Sequence, residues 1–136
     1  METPRSDLIS VSVPSRAEYV HVLRAVTASV ASRIPVSFDG IEDLRLAVDE
    51  ACARLLALRS GSTRLTLTLR PLSDRLEAVV TIDAVAKGDW PPPGIEETLG
   101  WRLLSALVDT VTLTEGPPGP SIHLSKRALD PTLPSS

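Results

Sequence analysis

Two oppositely charged side chains, Glu50 and Arg54, interrupt an otherwise apolar stretch of the chain. They are four residues apart, so on a helix they lie on the same side, one turn from each other. Asp43 falls on the same flank two turns before Glu50. An i,i+4 ion pair worth about a few tenths of a kcal/mol would account for this spacing. The alternative is a site at the edge of the core, and the spacing alone leaves both interpretations open.

The stretch that carries these charges, residues 41–58, has the pattern of an amphipathic helix. Its apolar residues recur at intervals of three and four, which places them on one face. They are Ile41, Leu44, Val48, Ala51, Leu55 and Leu58. Asp39 or Gly40 can cap the start of this helix, and Ser60-Gly61-Ser62 ends it. Further apolar residues beside the main face predict a helix that is covered on more than one side.

Composition excludes several classes of function. The 136 residues include 14 Lys and Arg against 17 Asp and Glu, and the net charge of −3 with scattered basic residues argues against direct nucleic-acid binding. No apolar run approaches the roughly twenty residues of a membrane span, and the N-terminus lacks the apolar region of a signal peptide. We therefore expect a cytoplasmic protein that does not bind membranes.

The single cysteine and the two histidines are the residues whose side chains could act as nucleophiles or metal ligands, and the sequence around them favours neither role. Cys52 is the single cysteine, so an internal disulfide is impossible, which fits a reducing cytoplasm. Its place on the apolar helix favours a small core residue over a nucleophile. His21 and His123 are too far apart in sequence to show the spacing of metal ligands, so no metal site is predicted.

The remaining pattern predicts five strands and two more helices. The strands are expected at 8–13, 63–70, 76–85, 110–114 and 121–125, and the helices at 19–34 and 96–109. Strands joined by short turns pair antiparallel, and the helices must cover one face of their sheet. The order β-α-α-β-β-α-β-β thus predicts an α+β fold, a two-layer sandwich with a mixed, mostly antiparallel sheet. We expect one domain over 1–127 and a disordered tail over 128–136.

A proline-rich segment, Lys87-Gly88-Asp89-Trp90-Pro91-Pro92-Pro93-Gly94, connects the third strand to the last helix. Its prolines and glycines exclude a helix or a central strand. One interpretation is a plain connecting loop. The other is a lid or a segment that contacts a partner, because Trp90 is a large apolar residue within it.

The runs Val13–Val20 and Ile41–Cys52 resemble the anti-sigma factor and serine-protein kinase family (RsbW type) of bacterial partner-switching systems. The resemblance covers roughly residues 8–126 and looks closest to actinobacterial members whose nucleotide motifs are degenerate. It implies the histidine-kinase-like ATPase fold, also called the Bergerat or GHKL fold. It also implies a nucleotide site built from three short motifs.

The first of these motifs is a Glu that acts as general base, followed four residues later by an Asn that binds Mg²⁺. Glu50 matches the Glu, but Arg54 stands in place of the Asn. An arginine has only hydrogen-bond donors and a fixed positive charge, so it cannot ligate Mg²⁺. It would pair with Glu50 or contact phosphate directly.

The second and third motifs are also only partly matched. The second is an Asp that accepts from the adenine amino group, followed by two spaced glycines; Asp83 matches the Asp, while Val85 and Lys87 stand at the glycine positions. The third is a pair of glycines that opens the helix under the phosphates, where free N–H groups bind anions. Gly100 matches the second of these glycines, and Thr98 replaces the first.

These substitutions imply that ATP or ADP binds weakly or not at all, and that Mg²⁺ binds only if nucleotide does. Glu50 is then a vestigial catalytic residue, and the remaining cofactor contacts are Asp83, Gly100 and Arg54. Without the resemblance, Asp83 is interpreted as an acid that caps a turn at a strand end.

Partner binding does not require an intact phosphate site. In the family a helix-one arginine pairs with acidic residues of both the sigma factor and the anti-anti-sigma factor, and Arg24 falls at this position. The implied partners are an alternative sigma factor, an anti-anti-sigma protein with a STAS domain, and a second copy of the chain in a homodimer. Candidate partner contacts are Arg24, Arg16, His21 and Trp90. Without the resemblance, the apolar periodicity of the first helix indicates that Arg24 is a charged residue exposed to solvent.

Three hypotheses about function result. The first is an anti-sigma factor with marginal or no kinase activity that sequesters a stress- or sporulation-type sigma factor and is released by the anti-anti-sigma protein. The second is an active ATP-dependent serine kinase that phosphorylates that protein. The third is a regulatory module that binds another partner or ligand.

Overall fold

The computed structural model describes residues 7–58, 64–84 and 90–128. Its helices and strands are β1 (Ile9–Pro14), α1 (Val20–Ala31), α2 (Phe38–Leu56), β2 (Arg64–Pro71), β3 (Arg75–Ile82), α3 (Leu99–Leu107), β4 (Thr110–Thr114) and β5 (Ser121–Arg127). Short 3₁₀ turns at Ala17–Tyr19 and Ile95–Glu97 precede α1 and α3. The predicted α+β class and the predicted order of elements are confirmed.

The five strands form one sheet in the order β1-β2-β3-β5-β4, so the last strand lies between β3 and β4. Every pairing in it is antiparallel. The register aligns apolar residues in rows across the sheet. One such row contains Val11, Leu67, Val80, Ile122 and Leu113.

The two faces of this sheet differ in polarity because each strand alternates. The face under the helices is fully buried at Leu65, Leu67, Leu69, Leu76, Ala78, Val80 and Ile82. The opposite face of β2 presents Arg64, Thr66, Thr68 and Arg70 to solvent or leaves them half-buried, as predicted. On this open face Arg64 reaches the neighbouring strand, where its Nε donates to Ser12 Oγ at 2.9 Å.

Helix α2 is the central element of the helical layer. It packs against α1 on one side and α3 on the other, and it lies over β3 and β5. Its start differs from the prediction: the cap is Ser37, whose hydroxyl accepts from the Gly40 N–H at 2.9 Å, rather than Asp39 or Gly40. A serine oxygen in this position satisfies one of the free N–H groups of the first turn.

The third helix is shorter than expected. It covers Leu99–Leu107 instead of 96–109 because Thr98 caps it, with its hydroxyl accepting from the Trp101 N–H at 3.2 Å. The expected helix stop at 60–62 and the tail from 129 onward lie outside the described residues. In the part of the chain that is described, no helix has the length and apolarity to cross a bilayer.

Candidate functional site

The Glu50–Arg54 pair lies on the flank of α2 that faces α3. Arg54 Nη2 and Nε lie 3.1 Å and 3.2 Å from the same carboxylate oxygen, Glu50 Oε1. The Glu50 side chain is only 16% exposed, whereas that of Arg54 is 48% exposed. The pair therefore closes the edge of the core, with the carboxylate inside and the guanidinium at the surface.

Gly100, in the first turn of α3, lies directly against this pair. A Cβ atom built on Gly100 would be 2.8 Å from Arg54 Cζ and 2.8 Å from Glu50 Oε1. Such distances are well inside van der Waals contact, so a larger residue here would require the ends of the Arg54 and Glu50 side chains to shift. The structure thus brings three of the predicted site residues, Glu50, Arg54 and Gly100, into one contact.

This arrangement does not fit a magnesium-bound triphosphate. The guanidinium of Arg54 lies against the turn of α3 whose N–H groups would face an anion. Arg54 has no lone pair for a metal, and Glu50 Oε1 is already used by two of its donors. Within the described ranges, no group of three or more His, Cys, Asp or Glu residues is placed to hold a metal ion.

A cleft of about 210 Å³ opens beside the pair, between α2, α3, the segment after residue 90 and the end of the sheet. Its lining is mostly apolar: Ala57, Leu58, Trp90, Pro92, Pro93, Ile95, Trp101, Leu104, Leu113 and Ile122, with Arg54 and Thr98 as its polar members. Trp90 is held in this wall because its indole N–H donates to the Thr114 carbonyl at 2.9 Å. The proline-rich segment is therefore anchored to the sheet at Trp90.

Asp83 is not part of this cleft. It follows the last residue of β3, Ile82, which is fully buried under the helices, and Asp83 itself is exposed. Its backbone N–H donates to the Arg64 carbonyl at 3.0 Å. The side chain that strand β3 directs toward the helices at this level is therefore that of Ile82. The two substituted glycine positions, Val85 and Lys87, lie outside the described residues.

Arg24 lies on the opposite flank of α2, at the contact between α1 and α2. Its Nε is 3.5 Å from Asp49 Oδ1, and that nitrogen is buried without a hydrogen-bond partner. The two side chains are 38% and 46% exposed, so this is a loose pair at the surface. Beneath it, burial raises the pKa of Cys52 to about 12, with a further rise from Asp49 and an opposing effect of Arg24.

The other candidate partner contacts do not form one cluster with Arg24. Arg16 pairs with Glu18 at 3.6 Å, and His21 Nδ1 donates to the Glu18 carbonyl at 2.7 Å, both near the start of α1. Trp90 is in the cleft on the α3 side. The four residues are thus divided between the two flanks of α2.

Two residues of these sites were not identified from the sequence. Asp49 pairs with Arg24 across two helices, and no local spacing predicts a contact between residues so far apart in the chain. Trp101 forms a wall of the cleft. The feature of the sequence that could have identified Trp101 is the scarcity of aromatic residues, because the chain has only two tryptophans.

Comparison with known proteins gives the same family as the sequence motifs. A model of the histidine kinase-like ATPase domain matches residues 13–126. The serine-protein kinase RsbW of Halalkalibacterium halodurans is 30% identical over 131 residues, which is 85% of this chain and 80% of that protein. An RsbW of Bacillus cereus is 32% identical over 125 residues, covering 80% of this chain and 78% of that protein. Another from Bacillus cereus is 33% identical over 84 residues, and there the chain spans about half, 52%, of its relative.

Solved structures show the same fold at low identity. A Mycobacterium tuberculosis structure of RsbU and RsbW domains matches with a TM-score of 0.66 and 16% identity, covering 90% of this chain and 32% of that one. A histidine kinase domain from Erythrobacter litoralis matches with a TM-score of 0.53 and 18% identity, covering 84% of this chain and 61% of that one. The chain therefore belongs to the histidine kinase-like ATPase family, and within it to the RsbW-type GHKL proteins.

Proposed function

We propose that this chain is an anti-sigma factor that sequesters an alternative, stress- or sporulation-type sigma factor in the cytoplasm. An anti-anti-sigma protein with a STAS domain releases it by competing for the same surface. ATP contributes weakly or not at all, and kinase activity is marginal or lost. The observation that carries this proposal is the contact of the Arg54 guanidinium with Glu50 and Gly100.

This contact supports the loss of nucleotide chemistry for a simple reason. A kinase of this family needs a free carboxylate base and a metal on the phosphates, whereas Arg54 holds the Glu50 carboxylate in an ion pair and stands at the position of the metal ligand. Moving Arg54 away would leave the mostly buried Glu50 carboxylate without its partner. The free-energy cost of this unpaired carboxylate would exceed what an exposed ion pair contributes to stability. Binding of a protein partner has no such requirement.

Arg24 supports the partner-binding part of the proposal. Its pair with Asp49 is long and partly exposed, and pairs of this kind are worth about 0–1 kcal/mol. A carboxylate from a partner can therefore replace Asp49 at small cost. His21 lies one turn before Arg24 on the same helix and extends this surface toward Arg16.

The test is co-expression with candidate sigma factors, followed by purification with and without Mg-ATP. We expect a sigma factor to be recovered in both conditions. The variant Arg24→Glu should weaken its binding by about 2–5 kcal/mol, as for loss of a desolvated charge pair. Arg33→Glu, an exposed arginine just after α1, is the matched control and should bind normally. Unchanged affinity of Arg24→Glu would remove Arg24 from the interface, and failure to recover any sigma factor would refute the function.

An active serine kinase is the second candidate, favoured by the retained and well-buried Glu50. Transfer of radiolabelled phosphate from ATP to a co-purified anti-anti-sigma protein decides between the two. Transfer that disappears in Glu50→Gln would replace the first proposal with the second. Absence of transfer together with sigma-factor binding supports the first.

A further inference from the structure

The cleft beside Arg54 has the size of a small-molecule site. Its volume of about 210 Å³ exceeds the roughly 150 Å³ that suffices to hold a benzene molecule in an apolar protein cavity. It is smaller than the roughly 300–1,000 Å³ typical of sites for drug-sized ligands. One aromatic ring with a short substituent fits these limits, and a nucleoside triphosphate does not.

The walls of the cleft favour an aromatic ring. Trp90 and Trp101 both line it, together with prolines and aliphatic side chains. The Trp90 indole is fixed by its hydrogen bond to the Thr114 carbonyl, so this wall is already ordered before a ligand enters. Aromatic pairs in offset or edge-to-face arrangements add to the gain from burying apolar area.

The polar groups of the cleft favour a hydrogen-bond acceptor on the ligand. Thr98 has no donor left for a ligand, since its hydroxyl donates to the Ile95 carbonyl at 2.6 Å while accepting from the Trp101 N–H. Arg54 uses Nε and Nη2 on Glu50, and within the described residues its Nη1 makes no hydrogen bond. Among the described residues, no carboxylate lines the cleft, so its unused donor at Arg54 favours an anionic acceptor on the ligand.

We propose that this cleft binds a small aromatic carboxylate, with its ring against Trp90 and Trp101 and its carboxylate on the free edge of the Arg54 guanidinium. The site takes the place of nucleotide binding beside the Glu50–Arg54 pair. This inference does not depend on sigma-factor binding, so either can fail without the other.

Intrinsic fluorescence of the purified full chain tests the proposal directly, because both tryptophans of the chain line the cleft. The probe is phenylacetate. We expect a saturable fluorescence change with a Kd at or below about 1 mM. Phenylacetamide, which keeps the ring but loses the charge, and acetate, which keeps the charge but loses the ring, should each bind at least about tenfold more weakly.

Two pairs of variants locate the site. Arg54→Gln should weaken phenylacetate binding about tenfold and leave phenylacetamide unchanged, whereas Arg102→Gln, an exposed arginine of α3 outside the cleft, should change neither. Leu113→Phe fills the cleft and should abolish binding. Val111→Phe on the same strand lies outside the lining and should retain it. Circular dichroism verifies that each variant is folded.

The proposal is overturned if wild-type fluorescence shows no saturation with phenylacetate at about ten times the expected Kd. It is equally overturned if acid and amide bind alike, or if Mg-ATP displaces the probe at micromolar concentration. These comparisons use the wild-type chain and remain decisive even if a variant fails to fold.

Discussion

Cys52 shows how a single residue type acquires its role from its surroundings. The chain has one cysteine, and in α2 it is fully buried next to Ala51. Burial disfavours the thiolate and raises its pKa from 9.0 to about 12. Because the thiolate is the reactive form, Cys52 is a structural residue and not a nucleophile, in agreement with its interpretation from the sequence.

The raised pKa of Cys52 predicts a dependence of stability on pH. The folded thiol keeps its proton while the unfolded thiol loses it above pH 9.0. The unfolded state is therefore stabilised as pH rises, and the free energy of unfolding should fall by about 1.4 kcal/mol per pH unit between these pKa values. Urea titrations of wild type and Cys52→Ala between pH 8 and 11 measure this effect as a difference in slope. Parallel curves for the two proteins would contradict it.

At the scale of elements, α2 and α3 approach each other through Gly100. The Cβ atom of an alanine there would meet the guanidinium of Arg54 and the carboxylate of Glu50 at 2.8 Å. The glycine thus leaves room for the ion pair between the two helices. The cleft lies beside this contact and is lined by residues of α2, of α3 and of the segment after residue 90.

A double-mutant cycle tests this contact. Gly100→Ala alone should destabilise the protein by about 1 kcal/mol, since the side chains must shift to accept the methyl group. In an Arg54→Ala background the Glu50 carboxylate is no longer held by the ion pair and can move away, so the same change should stabilise by about 0.4–1 kcal/mol through the unfolded state. Chemical denaturation of the four proteins gives the coupling energy.

Gly116→Ala is the control for this cycle, because no atom lies within 4 Å of a Cβ built there. Its effect should be the same, to within about 0.5 kcal/mol, with and without Arg54. Equal effects of Gly100→Ala in the two backgrounds would show that the contact between Gly100 and Arg54 contributes nothing to the free energy of unfolding.

The elements were predictable wherever a periodic pattern extended over the whole segment. Strand β4 was predicted with its observed bounds, and α2 was predicted over 41–58, whereas it begins one turn earlier and ends at Leu56. That turn and the start of α3 were missed because their caps, Ser37 and Thr98, act through a single side-chain hydrogen bond that periodicity does not report.

The site was less predictable than the elements. Spacing along α2 suggested the Glu50–Arg54 pair, because residues four apart share a helical face. It could not suggest that Gly100, far along the chain, lies against that pair. Asp83 was matched by motif, but the alternation of β3 directs Ile82 into the core and leaves the next residue exposed.

At the scale of the whole molecule, the sheet has two outer strands, β1 and β4, each of which pairs with another strand on one side only. Trp90 lies over the end of β4 and uses the Thr114 carbonyl. Strand β1 is one residue longer than β4, and the Arg64 guanidinium of β2 donates to its Ser12 carbonyl at 2.7 Å. We propose that the homodimer expected from the family resemblance forms through β1, because β1 is the longer outer strand and β4 is contacted by Trp90.

Sedimentation of the purified chain tests this arrangement. We expect a dimer, and Ser10→Lys on β1 should weaken it about tenfold because like charges would meet across the symmetry axis. Thr112→Lys, the matched change on β4, should leave the dimer intact. A monomeric wild type, or equal effects of the two variants, would exclude dimerisation through β1.

The position of β5 has a consequence for how the protein is made. This strand is the last of the described elements, yet it lies inside the sheet between β3 and β4. Its Lys126 also donates to the carbonyl of Leu107 at 2.9 Å and reaches Asp43 at 3.4 Å, so it joins both neighbouring helices. A nascent chain that has emerged from the ribosome only as far as β4 still lacks this strand. The domain can therefore close only after translation has passed residue 127, and until then β3 offers an open edge to chaperones.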